Sequence, residues 1–494
     1  MCFQSSPPFL EDVFQFQILF ERIKMSFLTK FKEVKIISYA ELWDRFNYYG
    51  LQALLILYLT HRLHLPDQDS YSIYGVYTAL SFGFTILGGV IADHFLGFFR
   101  AAILGGLLIS VGNVILVFSL PHAFYFGLAV IVVGIGLFKP NNPNLLGSVY
   151  SAESLERSRA FAFFYLCINI GSIVGPIFYG ILSKDDLYWV VFIVSAAGML
   201  SALLGLYFFG CNSHKNISIK KMHLTSIVIL LLGCIAFSYF LLSDPRIFVK
   251  TLIIVSVIFI FLLFKFLRRL SIDERRSLFS LFIPIFACII FFSSFLQIYS
   301  SLTLFIDRYV GRTYFGFEIP TLWFSSLEPL FIIILVPFFS ILWGVLNRKN
   351  IEPHSKYKVI IGLGLAAFSF LIFAISSEID FHFKYFCLIL IILANAILAM
   401  SELCIIPVTM SLTNMMAPKK YRGTMMGVFY FSLTLSGYFS GLMAKLAQSR
   451  NEQGVALFSH TFNFIAAFLI FAAFILFVLT YILNKKNPEP FLLT

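Results

Sequence analysis

Apolar segments of about 20 residues recur along the whole chain, and they constrain its fold more than any other feature. An α-helix needs ~20 apolar residues to cross a hydrocarbon core of about 30 Å, so each segment predicts one membrane-spanning helix. The fourteen candidate spans cover residues 38–60, 71–93, 100–119, 122–140, 160–183, 187–209, 223–243, 247–266, 278–305, 320–346, 357–376, 383–411, 422–446 and 457–483. Only 12% of the 494 residues are charged, against roughly 25% in a soluble domain. The sequence therefore predicts an all-α membrane protein with fourteen transmembrane helices.

The basic residues are distributed unevenly between the loops, although the net charge of +11 alone could suggest nucleic-acid binding. With both termini placed in the cytoplasm, 25 Lys and Arg residues lie in cytoplasmic segments, 9 lie in outer loops and 2 lie inside the membrane. This bias follows the positive-inside rule and favours an even number of spans. We therefore expect both termini in the cytoplasm and no nucleic-acid partner.

The first thirty residues do not fit a signal peptide. Pro7, Pro8, Glu11 and Asp12 precede a short apolar run, and no cleavage-like site follows it. Met25 offers a second start, in which case the segment ahead of it is either an artefact or a flexible tail.

No pattern in the sequence predicts a metal, a cofactor or an enzyme active site. A nucleophile elbow, a phosphate-binding loop and an attached ATP-binding domain are all missing from the sequence. The seven cysteines lack ligand spacing and are interpreted as small buried hydrophobes: Cys2, Cys167, Cys211, Cys234, Cys288, Cys387 and Cys404. We expect a protein that is not an enzyme and needs no cofactor.

The spans fall into three groups separated by basic stretches. Six precede residues 215–223, two without intramembrane charge follow, and six more come after residues 265–276. Two six-helix bundles with a site between them are the organisation of major facilitators, although generic helix repetition would look the same. The predicted segments are an N-terminal tail 1–35, a bundle 36–210, a linker with two extra helices 211–276, a second bundle 277–484 and a tail 485–494.

The first span contains a cluster of charges. An ionised group inside hydrocarbon costs about 2.5–3.5 kcal/mol on insertion scales, so such groups are candidate functional residues. Spacings of three and four place Glu41, Asp44 and Arg45 on one helix face, which Tyr48 and Tyr49 continue. This face cannot point at lipid. It fits either a functional site or a set of ion pairs whose role is only to hold helices together.

Six segments together resemble the motifs of the proton-dependent oligopeptide transporter family of the major facilitator superfamily. Residues 41–50, ELWDRFNYYG, resemble its ExxERFxYYG motif, with Asp44 in place of the second Glu. The other matches follow in the family's order: residues 88–93 with Gly97 and Arg100, residues 134–141 around Lys139, residues 164–171 as FYxxINxG, residues 401–403 with Pro407, and residues 425–427. The joint order over residues 41–440 is the specific signal, and two extra central helices are typical of bacterial members.

The resemblance implies a secondary active transporter of the major facilitator fold. It implies proton-coupled symport, with uptake of di- and tripeptides by alternating access, driven by the proton gradient. A monomer in a bacterial inner (plasma) membrane is expected, with peptide, protons and the lipid bilayer as its partners. Relatives also move nitrate, amino acids and drug-like compounds, so a facilitator or symporter of another small solute is the alternative. A non-transporting sensor or scaffold is a third hypothesis.

The resemblance also assigns a substrate site with two poles. A short peptide is a zwitterion, so its carboxylate needs a cation and its ammonium needs an acid or amide. Arg45 and Lys139 are implied to take the carboxylate. Glu402, with Glu328 and Asn169, is implied to take the ammonium. The side-chain pockets are implied to be lined by Tyr48, Tyr49 and Phe429.

Proton coupling needs a carboxylate whose partner depends on conformation. Glu41 and Asp44 compete for the nearby cations, so a substrate that occupies a cation can free a carboxylate for protonation. The expected coupling residues are Glu41, Asp44, Arg45, Lys139, Glu328 and Glu402. Asp93 and Arg100 lie at a cytoplasmic helix end, where a gating contact and a solvated turn are equally consistent with the sequence.

The sequence departs from the family pattern at the outer gate. The family commonly has an Arg and a Glu at the positions of Gln52 and Leu296. Both charged side chains are absent here. Replacing only one of them would leave the other as an unpaired buried charge, at a cost of about 3–5 kcal/mol. In addition, Glu328 stands where the family usually has Asn. Three hypotheses follow: a proton-binding or ammonium-binding carboxylate has moved to this position, substrate choice has changed, or the residue is structural.

Overall fold

The computed structural model describes residues 8–150, 154–184, 186–209, 224–268, 270–379, 384–416, 422–447 and 454–486. The helices are α1 Pro8–Leu57, α2 Asp67–Ile91, α3 Phe98–Leu116, α4 Pro121–Gly147, α5 Leu155–Lys184, α6 Tyr188–Phe209, α7 Leu224–Ser243, α8 Pro245–Leu267, α9 Ile272–Phe295, α10 Ser301–Tyr309, α11 Leu327–Arg348, α12 Ser355–Glu378, α13 Lys384–Met416, α14 Arg422–Ala447 and α15 Val455–Lys486. Strands β1 Thr313–Tyr314 and β2 Phe317–Glu318 form one antiparallel hairpin between α10 and α11.

Every predicted span corresponds to a long helix, with α9 and α10 together forming the ninth. Among the described residues, twelve helices are long and apolar enough to cross a membrane. The remaining two are α1, which contains the charge cluster, and α14, which is rich in Gly, Ser and Thr. The predicted all-α membrane fold is confirmed. In the following, the N-terminal half means α1–α6 and the C-terminal half means α9–α15.

The ninth span is broken, whereas the sequence predicted one continuous helix over 278–305. A 3₁₀ turn, Leu296–Tyr299, and a non-helical Ser300 separate α9 from α10. The Gln297 carboxamide explains the break, because its oxygen accepts hydrogen bonds from Ser300 Oγ at 3.2 Å and Ser301 Oγ at 2.8 Å. Such side-chain bonds compete with regular helix geometry. The Gln297 amide also donates to the Ser440 carbonyl at 2.8 Å, which fixes the break against α14.

The two extra helices contact both halves of the protein. On α7, the Tyr239 hydroxyl lies 3.2 Å from His122 Nδ1 of α4. On α8, the Phe259 ring stacks on Phe431 of α14 with centroids 4.1 Å apart. Large apolar side chains of α8 such as Phe261 are mostly exposed, as expected for a lipid-facing surface.

Glycines allow α4 to approach its neighbours closely ahead of Lys139, with Gly136 against α2 and Gly134 against α3. A Cβ on Gly136 would lie 2.6 Å from the Phe84 Cβ. A Cβ on Gly88 would lie 1.9 Å from the Gly136 carbonyl oxygen, a separation that no side chain tolerates. This backbone contact positions the Lys139 segment of α4 against α2.

The segment expected to be a flexible tail continues the first helix, because α1 begins at Pro8. Of the predicted linker, the basic stretch up to residue 223 lies outside the described residues, as does the chain after residue 486. The predicted domain boundaries stay predictions. Cys167, Cys288, Cys387 and Cys404 are buried and Cys234 is half-buried, in line with their interpretation as small hydrophobes, whereas Cys2 and Cys211 fall outside the described residues.

We predict that Gly88→Ala and Gly89→Ala, two changes at neighbouring positions, differ sharply in effect. The first forces a methyl group into the α4 backbone and costs at least ~1–3 kcal/mol, as overpacking does. The second has nothing within 4 Å of the added Cβ. The melting temperature of detergent-purified protein should fall only for Gly88→Ala. Equal melting temperatures would contradict the close α2–α4 contact.

Candidate functional site

The ion pair of Glu41 and Arg45 lies at the centre of the charge cluster on α1. Arg45 Nη2 and Nε lie 2.6 and 2.8 Å from Glu41 Oε1, and both side chains are buried. The other oxygen, Glu41 Oε2, accepts a hydrogen bond of 2.7 Å from Asn142 Nδ2 of α4. Sequence reasoning missed Asn142. Its position one turn after Lys139, on the same face of α4, was the available signal.

Asp44 is buried and unusual in its surroundings. Neither of its carboxylate oxygens has a hydrogen-bond partner in the described part of the chain, and its exposed fraction is 1%. Arg45 Nη2 lies 3.6 Å away, which is an ion pair of weaker geometry than that of Glu41. A buried carboxylate of this kind is stabilised by any proton or donor that reaches it.

Lys139 lies against aromatic rings. Its ammonium is 4.4 Å from the centroid of Tyr48 and 4.5 Å from that of Phe82. Within the described ranges it forms no ion pair, and it is held by cation–π attraction together with the longer-range attraction of Asp44 and Glu41. Its three N–H donors are therefore available to an anionic group.

Glu328 and Glu402 form an acidic pair in the C-terminal half. Their carboxyl groups face each other in contact, Glu328 from the first turn of α11 and Glu402 from α13. Glu328 is 5% exposed, and its Oε1 has no hydrogen-bond partner among the described residues. The entry to α11 is fixed on α5, because the Ser326 hydroxyl donates to the Ile173 carbonyl at 2.8 Å. This contact holds Glu328 close to the helix that carries Asn169, which is itself buried.

Tyrosines connect the two charged regions. The Tyr49 phenol lies within electrostatic range of Arg45 on one side and of Glu328 and Glu402 on the other. Its ring is 5.2 Å from that of Tyr48 and 6.4 Å from that of Tyr299.

The aromatic residues differ in how visible they were in the sequence. The predicted Phe429 is buried and packs on Tyr430 at 5.9 Å. Sequence reasoning missed Tyr299 and Tyr430, because aromatics make up 18% of the chain and these two carried no distinguishing signal. Tyr165 is part of the FYxxINxG match, but no role was assigned to it.

The predicted gating residues are solvent-exposed. Asp93 lies in a π-helical turn, Ala92–Leu96, and Arg100 lies in the first turn of α3. Gly97, at φ 75°, ends the turn between them. Neither side chain pairs with an opposite charge in the ranges the structure covers. The gating role stays a prediction, and the geometry fits a solvated turn.

The two positions that lack the family's gate charges are joined by a neutral contact. Gln52 Nε2 donates to the Tyr74 hydroxyl at 3.1 Å, and that hydroxyl donates to the Leu296 carbonyl at 3.3 Å. This relay links α1 and α2 of the N-terminal half to the turn after α9. Tyr74 carried no sequence signal for this role.

Ion pairs join the halves at the end of the protein where α1 ends. We call this set the terminal ion-pair cluster: His61, Asp67, Lys184, Asp307, Arg308, Arg312 and Glu318. Three pairs cross between the halves: His61 Nε2 to Asp307 Oδ2 at 3.1 Å, Arg308 Nη1 to Asp67 Oδ2 at 2.7 Å, and Lys184 Nζ to Glu318 Oε2 at 3.0 Å. The halves are therefore held together at this end.

Comparison with known proteins places the chain in a family. A family model described as the POT family matches residues 99–463, more than half of the chain. The chain belongs to the POT family. The peptide transporter YePEPT of Yersinia enterocolitica is 29% identical over 82% of this chain and 85% of its own length. The dipeptide and tripeptide permease B of Photorhabdus luminescens is 26% identical over 94% of this chain and 99% of its own.

Solved structures show the same fold. A crystal structure of the peptide transporter POT in complex with sulfate superposes with a TM-score of 0.80 at 24% identity, covering 92% of this chain and 95% of that one. A POT family transporter in complex with 5-aminolevulinic acid gives a TM-score of 0.77 at 23% identity, over 90% and 95% of the two chains. The major facilitator fold predicted from the sequence is confirmed.

We predict that Asn142→Ala lowers the transport rate about tenfold or more, because a hydrogen bond to a charged group contributes roughly 1.5–3 kcal/mol. The change removes the donor to Glu41 Oε2 and leaves the Arg45 pair in place. Asn113→Ala on α3 is the matched control, because its amide donates to Ile109 O of its own helix at 2.8 Å. Equal transport rates in the two variants would show that Asn142 does not support Glu41.

We also predict that the terminal ion-pair cluster weakens as pH rises. The hydrogen bond to Asp307 raises the pKa of His61, with Arg308 and Arg312 as the other charged groups facing it. His61 is protonated, and the pair is strongest, below this raised pKa; the stabilisation is lost as pH rises through it. Spin labels placed at the exposed positions His64 and Phe315 report the distance between the halves, and the fraction of molecules with a long distance should grow as pH rises. His61→Gln should remove the pH dependence, and an unchanged profile would exclude His61.

Proposed function

We propose that this chain is a proton-coupled importer of di- and tripeptides. The observation that carries the proposal is the separation of charge between the halves, with Arg45 and Lys139 in one and Glu328 and Glu402 in the other. A peptide carboxylate and ammonium would bind opposite poles, across the rings of Tyr49 and its neighbours. The relatives named as peptide transporters and as a dipeptide and tripeptide permease support this substrate class.

Proton coupling would follow from the competition for Arg45. In the structure Arg45 is bound to Glu41, while Asp44 has only a weaker ion pair with it. A substrate carboxylate that binds Arg45 would loosen the Glu41 pair. A proton would then neutralise the freed carboxylate, so that substrate and proton move together. The proton gradient would supply the driving force in place of a cofactor.

The orientation in the membrane is part of the proposal. If both termini are cytoplasmic, in the inner membrane of a bacterium, the terminal ion-pair cluster faces outward. The structure then corresponds to a state closed to the outside. Opening would require three cross-half ion pairs to separate, followed by closure at the opposite end, in a protein that works as a monomer.

A second candidate function is supported by the outer-gate positions. The relay of Gln52, Tyr74 and the Leu296 carbonyl is uncharged, so one titratable element expected of the family is missing. A facilitator that moves a small zwitterion without net proton uptake is consistent with this substitution.

Transport in proteoliposomes tests the two functions. We predict that radiolabelled Ala-Ala accumulates above equilibrium when the side corresponding to the cell exterior is acidic, and that an uncoupler abolishes the accumulation. Arg45→Ala should reduce uptake by roughly two orders of magnitude or more, because truncating one member of a buried ion pair costs about 3–5 kcal/mol. Arg246→Ala at the start of α8 is the control. Uptake of Ala-Ala only to its equilibrium concentration, with or without a pH gradient, would favour the facilitator. The absence of any peptide uptake would reject both functions.

A further inference from the structure

The charges of the candidate site balance in one half of the protein and not in the other. In the N-terminal half, Arg45 and Lys139 offset Glu41 and Asp44 of α1. In the C-terminal half, Glu328 and Glu402 face each other, and no cation of the described residues lies within ion-pair distance of either. Lys358, on the neighbouring α12, forms an ion pair with Glu352, and its ammonium lies over the Trp343 ring. The acidic pair therefore has no counter-ion among the residues that the structure describes.

A single ammonium does not satisfy this pair. Glu328 Oε1 is buried without a hydrogen-bond donor in the described part of the protein, which is an unfavourable state for a carboxyl oxygen. The α-ammonium of a peptide can neutralise one of the two acids. The other acid is neutralised either by a proton or by a second donor with a positive charge, and a basic side chain of the peptide supplies such a donor.

The surroundings of the pair suit a long basic side chain. The phenols of Tyr49, Tyr165 and Tyr299 all lie within electrostatic range of both glutamates. Aromatic faces bind the apolar stem of a lysine or arginine and attract its charged end. Tyr165 is 48% exposed, whereas Tyr299 is buried.

We infer that the pair of Glu328 and Glu402 selects peptides whose first residue is basic, with the α-ammonium and the side-chain cation bound to the two carboxylates. This inference rests on the proposed function and adds a substrate class to it. The ionised acids and cations of the two poles sum to −2: Glu41, Asp44, Glu328 and Glu402 against Arg45 and Lys139. A peptide with one extra positive charge, entering with one proton, brings this sum to zero. A neutral dipeptide leaves the second acid unpaired.

Competition for labelled Ala-Ala uptake tests the inference in proteoliposomes. The competitors are Lys-Ala, Ala-Lys and norleucyl-alanine, which matches the lysine stem without its charge. Lys-Ala should inhibit at a concentration on the order of tenfold lower than norleucyl-alanine or Ala-Lys, as a charge-assisted hydrogen bond allows. Glu328→Asn should lose this preference, read as the ratio of inhibitory concentrations against the variant's own residual Ala-Ala uptake or, where uptake is abolished, as the ratio of peptide Kd values from thermal stabilisation of the purified variant. Glu352→Gln removes an acid of the same half that is paired elsewhere, and should keep the preference.

The outcomes separate the inference from the proposed function. Ala-Ala uptake with equal inhibition by all three competitors would overturn the inference and leave peptide transport intact. Loss of pH-driven accumulation in Glu328→Asn, with the preference for Lys-Ala retained, would show that Glu328 carries the proton instead. Failure of every peptide to enter would reject the function itself. Glu328→Gln, which keeps the side-chain length, serves if Glu328→Asn does not give monodisperse protein.

Discussion

The cost of placing charge inside a membrane is the constraint on which the rest of this structure depends. Glu41 and Arg45 can occupy the membrane-spanning part of α1 only because they bind each other and because Asn142 of α4 donates to the remaining oxygen. Those contacts require α1, α4 and α5 to pack closely. A Cβ on Gly171 of α5 would lie 2.8 Å from the Arg45 Cβ, so the small residue is needed there.

Features encoded locally could be predicted from the sequence, and features that depend on distant contacts could not. Hydropathy predicted every long helix, and the spacing of Glu41, Asp44 and Arg45 predicted their common face. The break after α9 depends on Gln297 meeting Ser440, and the terminal ion-pair cluster depends on His61 meeting Asp307; partners so far apart in sequence leave no periodic signal. The sequence showed that Gln52 and Leu296 replace the charged residues of the family. It did not show that the Tyr74 hydroxyl joins these two positions.

That relay shows how a membrane protein can lose an ion pair without losing the contact. Gln52 and the Leu296 carbonyl are linked through the Tyr74 hydroxyl, so the two halves still meet at the same place. A neutral hydrogen bond has a smaller desolvation cost than an ion pair, and it does not respond to pH in the physiological range. Charged contact between the halves is instead placed at the surface, in the terminal ion-pair cluster, where water reduces the cost of separating the pairs.

The two halves therefore differ in what they need from a ligand. In the N-terminal half, Glu41 and Asp44 balance the charges of Arg45 and Lys139, so a ligand carboxylate that binds Arg45 would have to displace Glu41. In the C-terminal half, Glu328 and Glu402 face each other with no cation of the described residues beside them, so a cationic ligand removes a repulsion instead of replacing a contact. Binding would then depend on both halves at once, because a ligand carboxylate would replace Glu41 on Arg45 while a ligand cation would neutralise Glu328 or Glu402. A ligand that carries both signs of charge would therefore stabilise the state in which the two halves close around it.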